Sequence, residues 1–221
     1  MTPELFANHI GTQFRAYAAG LLASYLQIQS AGPTPAAISE FRRVGTGNLH
    51  LLMDQASATG RELLGLLPFG ERSEPRLLAF EHAMRIFASQ VLVDLARRLA
   101  GGTERMANLL TRDAGAVGLL LQRKLAKPDL TLRDKGGRQW EADKLVAVVA
   151  RDFAYQAEID SQANAIEGDL AVVTYPNPHH AGYGRVLSLR GATEGYASFA
   201  ALRSAIFHPN STAALRPYVP S

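Results

Sequence analysis

The chain contains no cysteine. That absence removes disulfides, thiolate nucleophiles, haem attachment and thiolate zinc sites together, and it fits a reducing cytosol. No apolar run is long enough to span a bilayer. The most apolar stretch, Ala114 to Leu121, stops at Gln122-Arg123-Lys124, far short of the roughly 20 residues a membrane helix needs. Met1-Thr2-Pro3-Glu4 carries no basic segment ahead of an apolar core, so neither a secretory signal nor a transit peptide is expected. Charge of one sign is also scarce. The net charge of +3 is too small to call for a polyanion partner, and the basic pairs Arg42-Arg43, Arg97-Arg98 and Arg123-Lys124 are scattered among acids, as on solvated helix faces. No Walker-type glycine loop ending in Lys-Ser or Lys-Thr occurs, which excludes a phosphate cradle built that way.

What is present is a packed fold: 47% hydrophobic and 19% charged residues over 221 positions suffice for one large or two small cores. Phe6, Ile10, Phe14, Tyr17, Leu21, Tyr25 and Ile28 recur at helical spacing behind Thr2-Pro3, an N-cap followed by a first-turn proline. Ala31-Gly32-Pro33 breaks that helix, and Thr34-Pro35 opens a second running toward Gly60, weakened at Gly45 and Gly47. After an apolar patch from Leu63 to Phe69, Ser73-Glu74-Pro75 opens a third with Phe80, Met84, Phe87, Val91 and Leu95 on its buried side. Gly101-Gly102 is expected to end it, Thr103 to cap a fourth helix to about Ala126, and Lys127-Pro128-Asp129 to stop that one.

Beyond Pro128 the pattern changes. Leu130 to Arg133 and Arg138 to Trp140 form a hairpin around Asp134-Lys135-Gly136-Gly137, and a helix runs from Glu141 to about Glu167 with Gly168 as its C-cap. Leu170 to Tyr175 is the best strand. A loop rich in proline, histidine and glycine leads to a second strand at Arg185 to Leu189, a short helix near Ala197 to Ala205, and an irregular end with Pro209, Pro217 and Pro220. The fold class expected is α+β: a mostly helical module, residues 1–128, followed by a small α+β module with a short antiparallel sheet, residues 129–221.

Chemistry-bearing patterns are few. Gly45-Thr46-Gly47-Asn48-Leu49-His50 starts like a dinucleotide fingerprint but lacks the third glycine and interrupts a helix. Gly191-Ala192-Thr193-Glu194-Gly195 has threonine where a nucleophile elbow has serine, and reads as a loop turn. Asp152, Glu158 and Asp160 do not share one helix face and read as exposed ion pairs near Arg151; Trp140 reads as a core anchor for the small module. His179, His180 and His208 are the metal-ligand candidates, with Asp169 or Glu194 as further donors, although no recognised zinc spacing supports them. His9, His50 and His82 fall on helices.

The order of features after Pro128 resembles the phage minor capsid proteins of the head-morphogenesis group, the phage Mu head protein F type, over roughly Leu130 to Val219. A strand and turn carrying Asp134, Gly137, Arg138 and Trp140 lead into a helix with Arg151. A Gly-x-Val-x-Ser-Leu-x-Gly segment follows, matched by Gly184, Val186, Ser188, Leu189 and Gly191. The end is the most specific part: Phe207-His208-Pro209-Asn210 with Ser211 where the family has cysteine, then Leu215-Arg216-Pro217-Tyr218. The family loop commonly holds two cysteines where this chain has His179 and His180, so its thiolate cluster is missing and histidines stand nearby.

The resemblance implies a structural, non-enzymatic component of a phage head, made in the host cytoplasm and residing in the virion. Its implied partners are the portal protein and the major capsid protein, with packaged DNA close by, no membrane and no cofactor. Two alternatives remain: a metal-dependent hydrolase or nuclease using His179, His180 and His208, with zinc as the possible ion, and a head-tail adaptor or DNA-binding assembly factor.

Overall fold

A computed structural model of the chain describes residues 2–65, 73–110, 130–133, 136–208 and 210–220, with Ser73 and residues 102–110 described in backbone only. Among the described residues the fold is α+β, with five helices and five short strands. None of these helices is long and apolar enough to cross a membrane. Helix α1, Pro3–Ala31, and helix α2, Pro35–Gly65, begin as the cap signals predict. The Thr2 hydroxyl accepts from the Leu5 amide at 3.3 Å and that of Thr34 from the Ala37 amide at 3.2 Å, satisfying amides that have no partner inside the helix. Gly32 turns the chain between them at φ 88°, a conformation open to glycine. The first stripe is buried from Phe6 through Tyr25.

Helix α3 spans Ser73–Leu110 and corrects an expectation, for it runs through Gly101-Gly102 without stopping. A glycine inside a helix costs about 1 kcal/mol relative to alanine, which weakens a helix but does not terminate it. Gly101 keeps a negative φ, so the left-handed turn of a glycine C-cap does not form, and Thr103 is an interior residue, not an N-cap. The expected helix beyond Leu110, the Lys127-Pro128-Asp129 join and the apolar patch from residue 66 to 69 lie outside the described residues.

Strands β1, Thr131–Arg133, and β2, Gln139–Glu141, pair antiparallel with Leu132 opposite Trp140. Leu132 is the buried member, whereas Trp140 is half-buried with the Arg138 guanidinium 4.5 Å over its ring. The tryptophan is thus one side of a cation–π pair and not the core anchor expected of it. Helix α4, Ala142–Ala165, ends ahead of Gly168, whose φ is not positive. Arg190 helps close the end: its terminal nitrogens donate to the Ile166 carbonyl at the end of the helix, at 3.4 Å, and to that of Gly168 beyond it, at 2.9 Å.

The remaining elements are β3, Leu170–Thr174; β4, Val186–Ser188; helix α5, Phe199–Ile206, capped by Ser198; and β5, Ala214–Pro217. They form a three-stranded antiparallel sheet in the order β4-β3-β5. The expected irregular C-terminal segment is therefore a strand. Four residues closed by a proline carry almost no alternation signal, yet an edge strand tolerates Pro217 because one side of its backbone has no ladder to feed. The Tyr218 amide continues the pairing, donating to the Leu170 carbonyl at 3.2 Å.

By contacts the chain gathers into two compact units that interleave along the sequence. The sheet unit comprises Met1–Asn8, Ala58–Phe80 and Val148–Ser221; the hairpin unit comprises His9–Ser57 and Glu81–Ala147. In the sheet unit, Tyr155, Ile159, Val173, Leu187, Phe199, Phe207 and Leu215 belong to one buried cluster. Phe6, Phe80 and Phe153 add an aromatic group, the last two stacked at 4.7 Å. In the hairpin unit, the Tyr17 hydroxyl donates to the Ala88 carbonyl at 2.9 Å, and burial pushes its phenol pKa far up.

The glycines at the middle of α2 divide into two kinds. A methyl group on Gly45 would come within 2.3 Å of Leu92 Cδ1 and 3.1 Å of Leu21 Cδ2, while one on Gly47 meets nothing within 4 Å. Gly47→Ala is expected to raise stability in urea unfolding by about 1 kcal/mol, the helix-propensity gain. Gly45→Ala should fall short of that gain, because two packed leucines must yield; equal gains would show that α2 does not pack closely at Gly45.

Candidate functional site

The residues of the C-terminal resemblance are best understood through Asp169, just ahead of β3. Its carboxylate accepts from the Ser188 hydroxyl and the Thr193 hydroxyl, each at 2.6 Å, and from the Arg190 amide at 2.7 Å. These bonds favour the charged form and draw the carboxyl down to about 2. Ser188 is fully buried, and Gly184 and Gly191, at either end of the segment, have φ of 79° and 71°, where a side chain would be strained. The Gly-x-Val-x-Ser-Leu-x-Gly pattern is thus a strand between two glycine turns, with its serine aimed at Asp169. Asp169 is engaged in this network.

The closing motif is built into the core. Phe207 is fully buried, edge-on to Phe199 at 5.6 Å between centroids, and its carbonyl accepts from Gln156 Nε2. Ser211 is buried and accepts from the Ala213 amide at 3.1 Å, while the Tyr155 hydroxyl donates to the Ala213 carbonyl at 2.8 Å. Arg151 is partly exposed, 3.8 Å from Glu4. In the hairpin unit, Gly137 has φ 79° and Arg138 sits on Trp140 as described; Asp134 lies outside the described residues, as does Pro209.

The histidines of the metal candidate are all exposed. His180 stacks on Tyr175 at 3.7 Å, and its Nδ1 accepts from the Gly182 amide at 3.1 Å; His208 Nδ1 accepts from the Asn210 amide at 3.3 Å. Both therefore serve their own loops. Among the described residues no group of three or more His, Asp or Glu side chains is placed to hold a metal ion, so His179, His180 and His208 are not brought together as a site.

A cluster that the sequence reading missed lies on α4. Asp152, Gln156 and Asp160 follow at successive turns, which places them on one face. Asp160, with 12% of its side chain exposed, takes Arg76 of α3 on one oxygen and Arg203 of α5, at 2.5 Å, on the other. Arg203 also donates to the Gln156 side-chain oxygen at 2.9 Å and backbone oxygen at 3.2 Å. The expected exposed pairing with Arg151 is corrected: Asp160 is buried and bridges two other arginines, and Glu158 instead accepts from Gln162 at 3.3 Å. Asp152 differs again. It makes no ion pair among the described residues and accepts one long bond, 3.4 Å, from Gln156 Nε2. It lines a cavity of about 170 Å3 with Arg76, Ala79, Phe80, Val149, Phe153 and Gln156. Burial raises its pKa, and the charges of Arg76 and Arg203 only partly oppose that. No sequence signal marked the partners, because Arg76 and Arg203 are far from α4 in the chain.

These two carboxylates move stability with pH in opposite directions. The Asp169 pKa is depressed, so its contribution is present above the unfolded value near 3.9 and is lost as pH falls through about 2. Asp169→Asn should flatten the urea-unfolding stability profile in that window; an unchanged profile would show that the network is not formed. The Asp152 pKa is raised, so its contribution is present below the unfolded value and lost as pH rises through the folded one. Asp152→Asn should therefore raise the melting temperature near pH 7, and a lower one would mean that the charged carboxylate is a net stabiliser.

No family model, no characterised protein and no solved structure matches this chain.

Proposed function

We propose that the chain is a structural and assembly component of a bacteriophage head, a minor capsid or head-morphogenesis protein acting without catalysis. What carries this reading is the C-terminal resemblance, which matches Gly184, Ser188, Gly191, Phe207, His208, Asn210, Pro217 and Tyr218 in order. The uses of those residues support it. Two glycines make turns, Ser188 holds Asp169, Phe207 fills the core, and the segment through Pro217 and Tyr218 pairs with β3. A motif spent on shaping a small sheet suits a protein that docks by its surface. The partners in this reading are the portal and major capsid proteins, with packaged DNA nearby; its place is the virion, after synthesis in the host cytoplasm. The proposal includes no cofactor.

Tagged protein co-expressed with the portal and major capsid proteins of the same phage should recover one or both in fixed ratio, with no metal in the purified sample. Recovery of neither would overturn the assembly reading. If about one zinc ion per chain came through in that case, His179, His180 and His208 would be the place to look for hydrolytic chemistry.

A further inference from the structure

We propose that the cavity between α3 and α4 in the sheet unit binds a small free α-amino acid, its carboxylate on Arg76 and its ammonium on Asp152. The inference stands apart from the head-assembly reading and rests on unspent bonding capacity in one place. Arg76 gives its Nε to Asp160, and its two terminal nitrogens have no hydrogen bond among the described residues. Asp152 accepts one bond, at 3.4 Å, although a carboxylate offers about four acceptor positions. The two line the same cavity without pairing with each other. A donor fork and a half-satisfied carboxylate thus stand apart across a gap, an arrangement that a ligand with both charges completes.

Charge balance selects among ligands. Arg76 and Arg203 are offset by Asp152 and Asp160, so the neighbourhood is neutral. Within the lining, a simple cation would meet the Arg76 guanidinium and a simple anion the Asp152 carboxylate. A zwitterion places each pole against its opposite and leaves the sum unchanged, with the guanidinium fork suited to a carboxylate. Size narrows the choice further. Pockets for drug-sized ligands run to about 300–1,000 Å3, and this one, open to solvent on one side, holds about 170 Å3, a volume that suits a small ligand better than a nucleotide. Its apolar wall, from Ala79, Phe80, Val149 and Phe153, suits a short aliphatic side chain.

Titration of the full-length protein with L-valine, followed by amide chemical shifts, should give saturable changes confined to residues near 76–80 and 149–156. Isobutylamine and isovalerate, which each keep one pole of valine, should give none or bind far more weakly. Asp152→Asn should weaken valine by at least about tenfold, as expected for loss of one charge-assisted bond. Ala79→Leu, at an exposed position, should block the cavity while leaving the rest of the spectrum folded. Absence of saturable valine shifts would overturn the proposal. So would equal binding of either one-pole fragment, or unimpaired binding by both variants.

Discussion

The sheet unit depends on one carboxylate. Asp160 holds a guanidinium on each oxygen, and those guanidiniums come from α3 and α5, so a single side chain on α4 ties three chain segments that share no local sequence. Removing a charge from such a buried set leaves the others uncompensated, at a cost of about 3–5 kcal/mol. The gain over an apolar core is smaller and lies in geometry. Arg203 reaches the oxygen of the Gln156 side chain as well as its backbone oxygen, and the Gln156 amide nitrogen reaches Phe207. Charge and hydrogen bonding together set how α5 lies along α4, and the T-shaped contact of Phe199 with Phe207 fills the space beneath.

A second polar knot lies just past the C-terminal end of α4. Asp169 gathers two hydroxyls and an amide, while Arg190 reaches back to carbonyls at and just past the end of α4. The Arg190 amide serves the carboxylate and its side chain serves the carbonyls, so one residue closes both the helix end and the entry to β3. This explains why the Gly184 to Gly191 segment looks like a motif: its positions are those the knot and its two turns require.

Much of the fold was legible because the relevant signals are local. Caps at Thr2 and Thr34, the glycine turn at Gly32 and the stripe from Phe6 to Tyr25 each need only a few neighbouring residues to be read. Failures came where the deciding interaction is distant or weak. Gly101 suggested a stop that its backbone does not make. β5 was hidden by its length and by Pro217, because its stability comes from β3. Gly168 looked like a cap, but Arg190, far along the chain, does that work. The Asp152 and Asp160 face was readable as periodicity, yet its meaning depends on Arg76 and Arg203, which spacing on α4 cannot reveal. The histidines could not be placed by order alone: His180 and His208 each accept from an amide of their own separate loop.

The interleaving of the two units has a consequence for how the chain is made. Phe6 packs its tilted ring against Phe153, and synthesis at about 5–20 residues per second separates the two by on the order of ten seconds. During that interval the start of α1 has emerged with its partner still unbuilt, and the central strand β3 must wait further for β5. The nascent protein therefore passes through a period in which aromatic surface is uncovered and a sheet edge is open, the state that chaperones hold and that aggregation exploits.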